Sequence, residues 1–204
     1  MHRLVLATRN PHKVAELNRI LADTGLDVHL IGADAFPNLQ DVAETGTTFA
    51  ENALLKAHAV AAATGLPAVA DDSGLCVDVL GGMPGVFSAR WAGRHGDDQA
   101  NLDLVLAQLT DVPDDRRSAH FACAAALALP HGGEQIVEGR LSGALLREPR
   151  GVNGFGYDPI FVPEGESRTT AEMAPAEKDA ISHRGRAFRA LAKHLLKHLG
   201  QATR

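Results

Sequence analysis

Two adjacent aspartates, Asp71 and Asp72, interrupt an apolar segment, AVADDSGLCVDVL, that spans residues 68–80. Burying a carboxylate that has no partner costs several kcal/mol. The flanking segments LPAVA and LCVDVL are typical of strands in a protein core. We therefore expect DDSG to form a turn, or the end of a strand that opens into a cleft, with positively charged groups opposite the two carboxylates.

Segments typical of strands and helices alternate along the rest of the chain. RLVLAT, residues 3–8, predicts a buried strand, and the helix that follows has Asn10 as its N-cap and Pro11 at its first position. A second helix is predicted to begin at Thr47 or Thr48. Two long strand-like segments, SAHFACAAALAL and EQIVEGRLSGALL, are separated by PHGGE and predict a hairpin. The pattern predicts an α/β fold with a mixed sheet.

Composition argues against several classes of protein. The 204 residues are 45% hydrophobic, which suits one domain or a two-lobed one. The net charge of -5 argues against a protein that mainly binds nucleic-acid backbone. No apolar segment approaches the ~18 residues of a membrane span, and the N-terminal apolar segment is too short for a signal peptide. We expect a cytoplasmic protein whose two cysteines, Cys76 and Cys123, are buried thiols.

The segment TRNPHK, residues 8–13, joins the first strand to the first helix. Backbone N–H groups at the start of a helix favour an anion, Thr8 and Asn10 add polar groups, and Lys13 lies in the first turn. The segment lacks the phosphate-loop spacing G-x-x-x-x-G-K-[ST]. Any strand-to-helix turn with an asparagine cap would look similar, so both a phosphate site and an ordinary capped turn stay open.

Carboxylates and a lysine form a second candidate site. Two aspartates beside a turn can hold a hard divalent cation or activate a water, and Glu44 would complete a carboxylate-rich Mg²⁺ site with them. Lys56 lies on the same predicted helical face as Phe49 and needs an anionic partner there, or must extend to solvent. The alternatives are a turn capped by aspartates and a lysine at the edge of an apolar face.

Two further segments could bind a flat, polar ligand. In GFGYDP, residues 154–159, the glycines bring backbone close to a ligand and Phe155 can stack on a base. In AEKDAISHRGRAF, three donors, Lys178, His183 and Arg184, gather just before the predicted final helix and suit a phosphate or a base carbonyl. The alternatives are a Gly/Pro loop and a solvated helix entry.

These five segments, in this order, resemble the noncanonical purine nucleoside triphosphate pyrophosphatase family, also called inosine triphosphate pyrophosphatases. LATRNPHKVAEL is similar to the opening motif T-x-N-x-x-K. ETGTTFAENALLKA, ADDSGLCVDVLGGMPGVFSARWAG, GFGYDPIF and EKDAISHRGRAF are similar to the family's other signatures. The resemblance covers nearly the whole chain. It implies an elongated α/β fold in which a mixed sheet is flanked by helices, with two lobes and a central substrate cleft, as a single domain over residues 1–204. It also implies a homodimer.

The resemblance implies an activity: Mg²⁺-dependent hydrolysis of inosine, deoxyinosine and xanthosine triphosphates to the monophosphate and pyrophosphate, which cleanses the nucleotide pool. Asp72 would be the proton acceptor, and Glu44 and Asp72 would hold the metal. Phe155 would stack on the base. The implied substrate-binding residues are Thr8, Arg9, Asn10, Lys13, Lys56, Ser73, Phe155, Gly156, Tyr157, Asp158, Lys178, His183 and Arg184.

Within that set, Thr8, Asn10 and Lys13 would bind the triphosphate. Lys56 and Lys178 would offset phosphate charge, and Ser73 would touch the substrate. The base end would be lined by Asp158, His183 and Arg184.

Three other functions compete with this prediction. A Maf-type pyrophosphatase would act on pyrimidine or modified nucleotides, and donors facing a 6-keto oxygen argue against it. A catalytically silent nucleotide-binding protein is disfavoured because both metal-binding carboxylates and all three lysines are present. A nucleic-acid-binding module is disfavoured by the acidic charge balance. Neither nucleic acid nor a membrane is expected as a partner.

Overall fold

The computed structural model describes residues 2–25 and 28–201. The α/β prediction is confirmed, because strands and helices alternate along the chain. The strands are β1 (His2–Leu6), β2 (Val28–Gly32), β3 (Ala68–Val77), β4 (Met83–Pro84), β5 (Ser118–Ala128), β6 (Glu134–Leu145) and β7 (Phe161–Pro163). The helices are α1 (Pro11–Ala22), α2 (Phe49–Thr64), α3 (Asp98–Gln108), α4 (Pro175–Ile181) and α5 (His183–Gln201).

The strands form one mixed sheet in the order β2-β1-β3-β5-β6-β7, with β4 beside β3. β1 pairs in parallel with β2 and with β3, whereas the β3–β4 and β6–β7 pairs are antiparallel. The predicted hairpin joins β5 to its neighbour β6, and in its turn the N–H of Leu129 donates to the carbonyl of Gly133 at 3.0 Å. No helix in the described part of the chain is long and apolar enough to cross a membrane.

One compact unit comprises the described residues up to Asp72, Cys123–Gly139, and the chain from Arg184 onward. Its strands are covered on both faces, as parallel strands usually are. Side chains of β1 alternate: Leu4 and Leu6 pack with α1 and α5, whereas Val5 packs with α2 on the other face. The core of this unit therefore has two layers that hold the strands between them.

The second unit comprises residues 73–122 and 140–183. Leu75 and Val77 of β3 pack there with Leu102 and Val105 of α3. The guanidinium of Arg117 is buried nearby and donates to three backbone carbonyls, one just after α3 and two at the end of β6 and directly after it. These bonds fix the start of the segment that leads to GFGYDP.

The expectation that DDSG forms a turn or a strand end is wrong. β3 continues through Asp71 and Asp72 to Val77 as one strand. The strand can continue because side chains from neighbouring helices contact each carboxylate. Cations contact both, and an amide contacts Asp72, as described below. Gly74 lets the chain approach Ser88, since a Cβ there would lie 2.3 Å from the Ser88 hydroxyl.

Candidate active site

The turn between β1 and α1 is built by local capping. Asn10 Oδ1 accepts from the N–H groups of His12 at 2.9 Å and Lys13 at 3.3 Å, and Pro11 follows at the first helical position. Thr8 Oγ1 accepts from the N–H of Asn10 at 3.2 Å. The predicted N-cap and helix start are confirmed. Two N–H groups of the first turn are bonded to the cap, so the Lys13 ammonium is the positive group that α1 brings to this end of β1.

Arg9 lies in the same turn and is exposed. Its guanidinium pairs with the carboxylate of Asp41 and donates to the carbonyl of Leu39 at 2.5 Å. Arg9 therefore connects the turn after β1 to the irregular segment that carries Glu44.

Asp71 and Asp72 project to opposite faces of β3, as neighbours on a strand must. Val69 packs in the core layer of α1 and α5, and Asp71 follows it on that face. Ala70 packs in the layer of α2, and Asp72 follows it there. One strand thus supplies a carboxylate to each layer, and each carboxylate meets different partners.

The Asp71 carboxylate lies in a buried cluster of four charged side chains. It contacts Lys13 Nζ at 2.9 Å and Arg184 Nε at 3.2 Å, and Arg184 Nη1 lies 2.5 Å from Glu16 Oε2. Burial alone would raise the pKa of Asp71, but the charges of Lys13, Arg184 and Lys56 outweigh it and hold the pKa well below its ordinary value. Asp71 is therefore charged, and it orients Lys13.

The Asp72 carboxylate lies in a second cluster, on the α2 side. Lys56 Nζ is 2.9 Å from Asp72 Oδ1 and 2.7 Å from Glu44 Oε1, so one ammonium joins two carboxylates. Asn52 Nδ2 donates to Asp72 Oδ2 at 3.3 Å. Burial raises the pKa of Asp72; the charge of Lys56 opposes this shift and that of Glu44 adds to it. A second cation beside these carboxylates would be stabilised.

The donor set fits Mg²⁺, which proteins usually hold with one or two carboxylates together with waters and substrate phosphates. Glu44 and Asp72 supply two carboxylates of this kind. Among the described residues, no group of three or more His, Cys, Asp or Glu side chains could hold a metal ion by itself. Water and phosphate oxygens would therefore complete the coordination. Ser73, the next residue of β3, is half-buried.

In the second unit, the loop over residues 154–158 closes on the carboxylate of Asp158. Asp158 Oδ2 accepts from the N–H of Phe155 at 2.9 Å and from Lys178 Nζ at 2.6 Å, and Oδ1 accepts from Thr170 Oγ1 at 2.8 Å. Gly154 has φ +74°, and a Cβ there would lie 2.1 Å from Asp158 Oδ2. Only glycine allows this approach.

The rest of this loop is fixed by three further contacts. The N–H of Gly156 donates to Asp98 Oδ2 at 2.9 Å. The Tyr157 hydroxyl donates to the carbonyl of Ser88 at 2.8 Å, and burial raises the pKa of this buried tyrosine. Lys178 Nζ lies 5.2 Å from the centre of the half-buried Phe155 ring. The Tyr157 side chain thus packs in the core, which leaves its backbone as the group that could face a ligand.

The prediction that Lys178, His183 and Arg184 all precede the final helix is wrong. Lys178 lies within α4, and α5 begins at His183, so Arg184 is already helical. The His183 ring stacks on Phe121, with ring centres 4.8 Å apart and an interplanar angle of 13°. A seven-residue helix followed almost directly by the long final helix looks like one loop-to-helix entry in the sequence.

The structure divides the predicted residues between the two units. In the first, it brings Lys13 to Asp71 and Arg184, and Lys56 to Glu44 and Asp72. In the second, it brings Phe155 and Lys178 to Asp158, while the ring of His183 lies on Phe121. The first unit contains Thr8, Arg9, Asn10, Lys13, Glu44, Lys56, Asp72 and Arg184, and the second contains Ser73, Phe155, Gly156, Tyr157, Asp158, Lys178 and His183.

Sequence analysis missed Glu16, Asn52 and Thr170, which bond the predicted residues. Each is almost fully buried, at 3%, 0% and 1% exposure. A signal was present for two of them, because Glu16 precedes the core residue Leu17 and Asn52 precedes Ala53 within helices. A polar residue inside a helix's buried segment needs a partner.

Comparison with known proteins identifies the family. The sequence profile of the Ham1 family matches residues 4–194. The chain belongs to the Ham1 family. A dITP/XTP pyrophosphatase of Streptomyces coelicolor is 69% identical to it over 200 residues, which cover 98% of this chain and 100% of that protein. The resemblance to nucleoside triphosphate pyrophosphatases is therefore confirmed, and a divalent metal is typical of such enzymes.

Solved structures of Ham1 relatives agree with this assignment. A nucleoside-triphosphatase, or dITP/XTP pyrophosphatase, from Mycobacterium abscessus is 57% identical, with a TM-score of 0.76 over 93% of this chain and 98% of that chain. A HAM1 protein from Coxiella burnetii is 45% identical, with a TM-score of 0.86 over 97% of this chain and 100% of that chain. The mixed sheet with flanking helices is thus the fold of this family.

Proposed function

We propose that this Ham1 protein hydrolyses noncanonical purine nucleoside triphosphates, namely those of inosine, deoxyinosine and xanthosine, to the monophosphate and pyrophosphate. The chain is a nucleoside triphosphate pyrophosphatase, a hydrolase that acts on acid anhydrides. Removing such nucleotides prevents their incorporation into DNA and RNA. The observation that carries the proposal is the Lys56 ammonium held between Glu44 and Asp72, at 2.7 and 2.9 Å.

The Asp72 cluster suits the proposed chemistry. Cleavage between the α and β phosphates builds negative charge on the bridging oxygen and on the leaving pyrophosphate. Asp72 would accept the proton of the attacking water as a general base. The positive charges of Lys13 and Lys56 would stabilise the developing charge. Mg²⁺, held by Glu44 and Asp72, would supply further positive charge to the phosphate oxygens.

The triphosphate and the base would be bound by different segments. Thr8, Arg9 and Asn10 form the turn that leads into α1, the helix that carries Lys13. Lys178 would offset phosphate charge. Ser73 would touch the substrate. At the base end, Phe155 would stack on the purine, next to the backbone of Gly156 and Tyr157. Asp158, His183 and Arg184 would complete this end, where donors favour a 6-keto oxygen over a 6-amino group.

Assembly and location follow as parts of the same proposal. The two compact units would work as a single enzyme domain over residues 1–204. A homodimer in the cytoplasm, binding neither nucleic acid nor a membrane, suits an enzyme that acts on free nucleotides.

Pyrophosphate release from a panel of nucleoside triphosphates, with and without Mg²⁺, tests the function. We expect pyrophosphate from inosine, deoxyinosine and xanthosine triphosphates, only when Mg²⁺ is present. Selective turnover of pyrimidine or modified nucleotides would instead favour a Maf-type activity. Nucleotide binding without turnover would favour a silent binding protein and would contradict the proposal.

A further inference from the structure

Asn52 is a buried polar residue near the start of α2, beside the cluster of Glu44, Lys56 and Asp72. Its exposure is 0%. Its Nδ2 donates to Asp72 Oδ2 at 3.3 Å, and its Oδ1 accepts from the N–H of Gly46 at 2.8 Å. Burying an amide costs free energy unless its polar atoms are hydrogen-bonded. We therefore attribute the presence of Asn52 at this position to its two hydrogen bonds.

The direction of the Asn52 amide follows from its partners. The N–H of Gly46 can only donate, so the atom that faces it must be Oδ1, and Nδ2 must face Asp72. Lys56, one helical turn later, donates to the other oxygen of the same carboxylate at 2.9 Å. α2 therefore places one donor on each oxygen of Asp72 and fixes the rotation of its carboxylate.

The same amide fixes the segment that carries Glu44. Gly46 lies two residues after Glu44, and its backbone packs directly on α2. A Cβ on Gly46 would lie 2.7 Å from Asn52 Oδ1 and 2.6 Å from the Cβ of Glu51. The position of this backbone determines where the carboxylate of Glu44 meets Lys56. One side chain thus sets the position of both carboxylates.

We propose that Asn52 is a positioning residue that aligns Asp72 with Glu44 for metal binding and water activation. The proposal rests on the proposed function of this site. We expect Asn52 to affect kcat rather than nucleotide affinity, because a displacement of about 1 Å in a reacting group can cost about 100-fold in rate.

Asn101 provides a matched control in the second unit. It is also a helical asparagine, 1% exposed, and its Oδ1 accepts from the N–H of Ala92 at 2.7 Å. Within the described residues, its Nδ2 has no hydrogen-bond partner. Asn101 therefore makes the same kind of loop contact as Asn52 but holds no carboxylate. Replacing each by leucine adds a similar volume and removes a similar loop bond.

The test compares Asn52→Leu with Asn101→Leu and with wild type. With inosine triphosphate, we expect Asn52→Leu to lower kcat about 100-fold, with KM changed by less than about threefold. Asn101→Leu should keep the wild-type kcat. Binding of Mn²⁺ in the presence of pyrophosphate, followed by the electron paramagnetic resonance signal of free Mn²⁺, should weaken about 10-fold in Asn52→Leu alone.

The outcomes separate the inference from the proposed function. Equal losses of kcat and Tm in the two leucine variants would show a merely structural role and overturn the inference. If Asn52→Leu does not fold, Asn52→Asp keeps an acceptor for Gly46 and, in its ionised form, offers no donor to Asp72. That variant should keep its fold and lose kcat; a wild-type kcat would overturn the inference. Absence of turnover in the wild type would overturn the proposed function instead, and Mn²⁺ binding would still test Asn52.

Discussion

Lys178 and Asp158 form a buried ion pair in the second unit, with Nζ 2.6 Å from Oδ2 and side-chain exposures of 9% and 3%. The same oxygen accepts the N–H of Phe155 at 2.9 Å, and the Lys178 ammonium lies 5.2 Å from the centre of the Phe155 ring. One carboxylate therefore fixes both a lysine of α4 and the loop that carries the proposed base-stacking residue.

Asp158→Ala should destabilise the fold and weaken nucleotide binding. It leaves the Lys178 ammonium buried without its partner, which costs about 3 kcal/mol or more in the free energy of unfolding. The loop also loses its anchor, so KM for inosine triphosphate should rise. Asp114→Ala is the control, because the Asp114–Arg147 pair at 2.7 Å is exposed and should contribute less than about 1 kcal/mol. Equal unfolding free energies in urea for both variants would contradict this expectation.

Asp72→Asn should abolish turnover and leave the protein folded. An amide has nearly the same shape as a carboxylate, but it is a poor base and a poorer ligand for Mg²⁺. Loss of a general base alone lowers kcat by about 100- to 10,000-fold. Circular dichroism and Tm should confirm that the variant is folded. Wild-type turnover in this variant would remove Asp72 from its proposed role.

Lys56→Met should lower kcat/KM for inosine triphosphate at least about tenfold, because a bond to a charged group contributes more than a neutral one. The variant also leaves Glu44 and Asp72 close together without the ammonium that joins them. Their repulsion should lower Tm in the absence of Mg²⁺, and added Mg²⁺ should restore part of the loss. A low Tm that Mg²⁺ does not change, with unaltered kinetics, would show that Lys56 has a structural role only.

Local signals in the sequence predicted the starts of α1 and α2 correctly, because a cap depends on residues only a few positions apart. Asn10 caps α1, and Thr48 forms a capping box with Glu51 at the start of α2. The path of β3 could not be predicted in this way. Whether Asp71 ends a strand depends on Lys13 and Arg184, which come from distant parts of the chain.

For the candidate site, too, the sequence predicted some of the residues and not others. Motif resemblance pointed to Lys56 and Asp72, which the structure does bring together. It gave no indication of Asn52 or of the Glu16 carboxylate bonded to Arg184, because these residues act through partners that only the fold brings near. Their places among the buried residues of α1 and α2 indicate that each needs a partner, but only the fold shows which side chain that partner is.

Asp71 should make the free energy of unfolding depend on pH in the acid range. Its pKa is held below the ordinary value in the folded protein, so the unfolded chain takes up a proton first as pH falls. Stability from this group is complete above about pH 4 and is lost below it, by up to about 1.4 kcal/mol per pH unit. Asp71→Asn should be less stable than the wild type at pH 6. In urea titrations, its free energy of unfolding should fall less steeply below about pH 4, which is roughly the pKa of an unfolded aspartate. An unchanged slope would show that folded Asp71 is not charged.

Selectivity should favour inosine triphosphate over adenosine triphosphate by at least about 100-fold in kcat/KM. A 6-keto oxygen accepts from a guanidinium or imidazole donor, whereas a 6-amino group would set a second donor against that donor. A 100-fold preference corresponds to about 2.7 kcal/mol, which is within the range for a buried unpaired donor. Guanosine triphosphate shares the keto oxygen, so its rejection must depend on the 2-amino group.

Arg184→Lys tests which donor provides this selectivity. Arg184 already donates through Nε to Asp71 at 3.2 Å and through Nη1 to Glu16 at 2.5 Å. Lysine keeps the charge between these carboxylates but loses the planar fork. If Arg184 serves the base, the inosine-to-adenosine ratio should narrow, mainly through lost activity on inosine triphosphate. If the full wild-type ratio remains, the discriminating donors lie elsewhere, and the backbone N–H groups of residues 154–158 become the next to test.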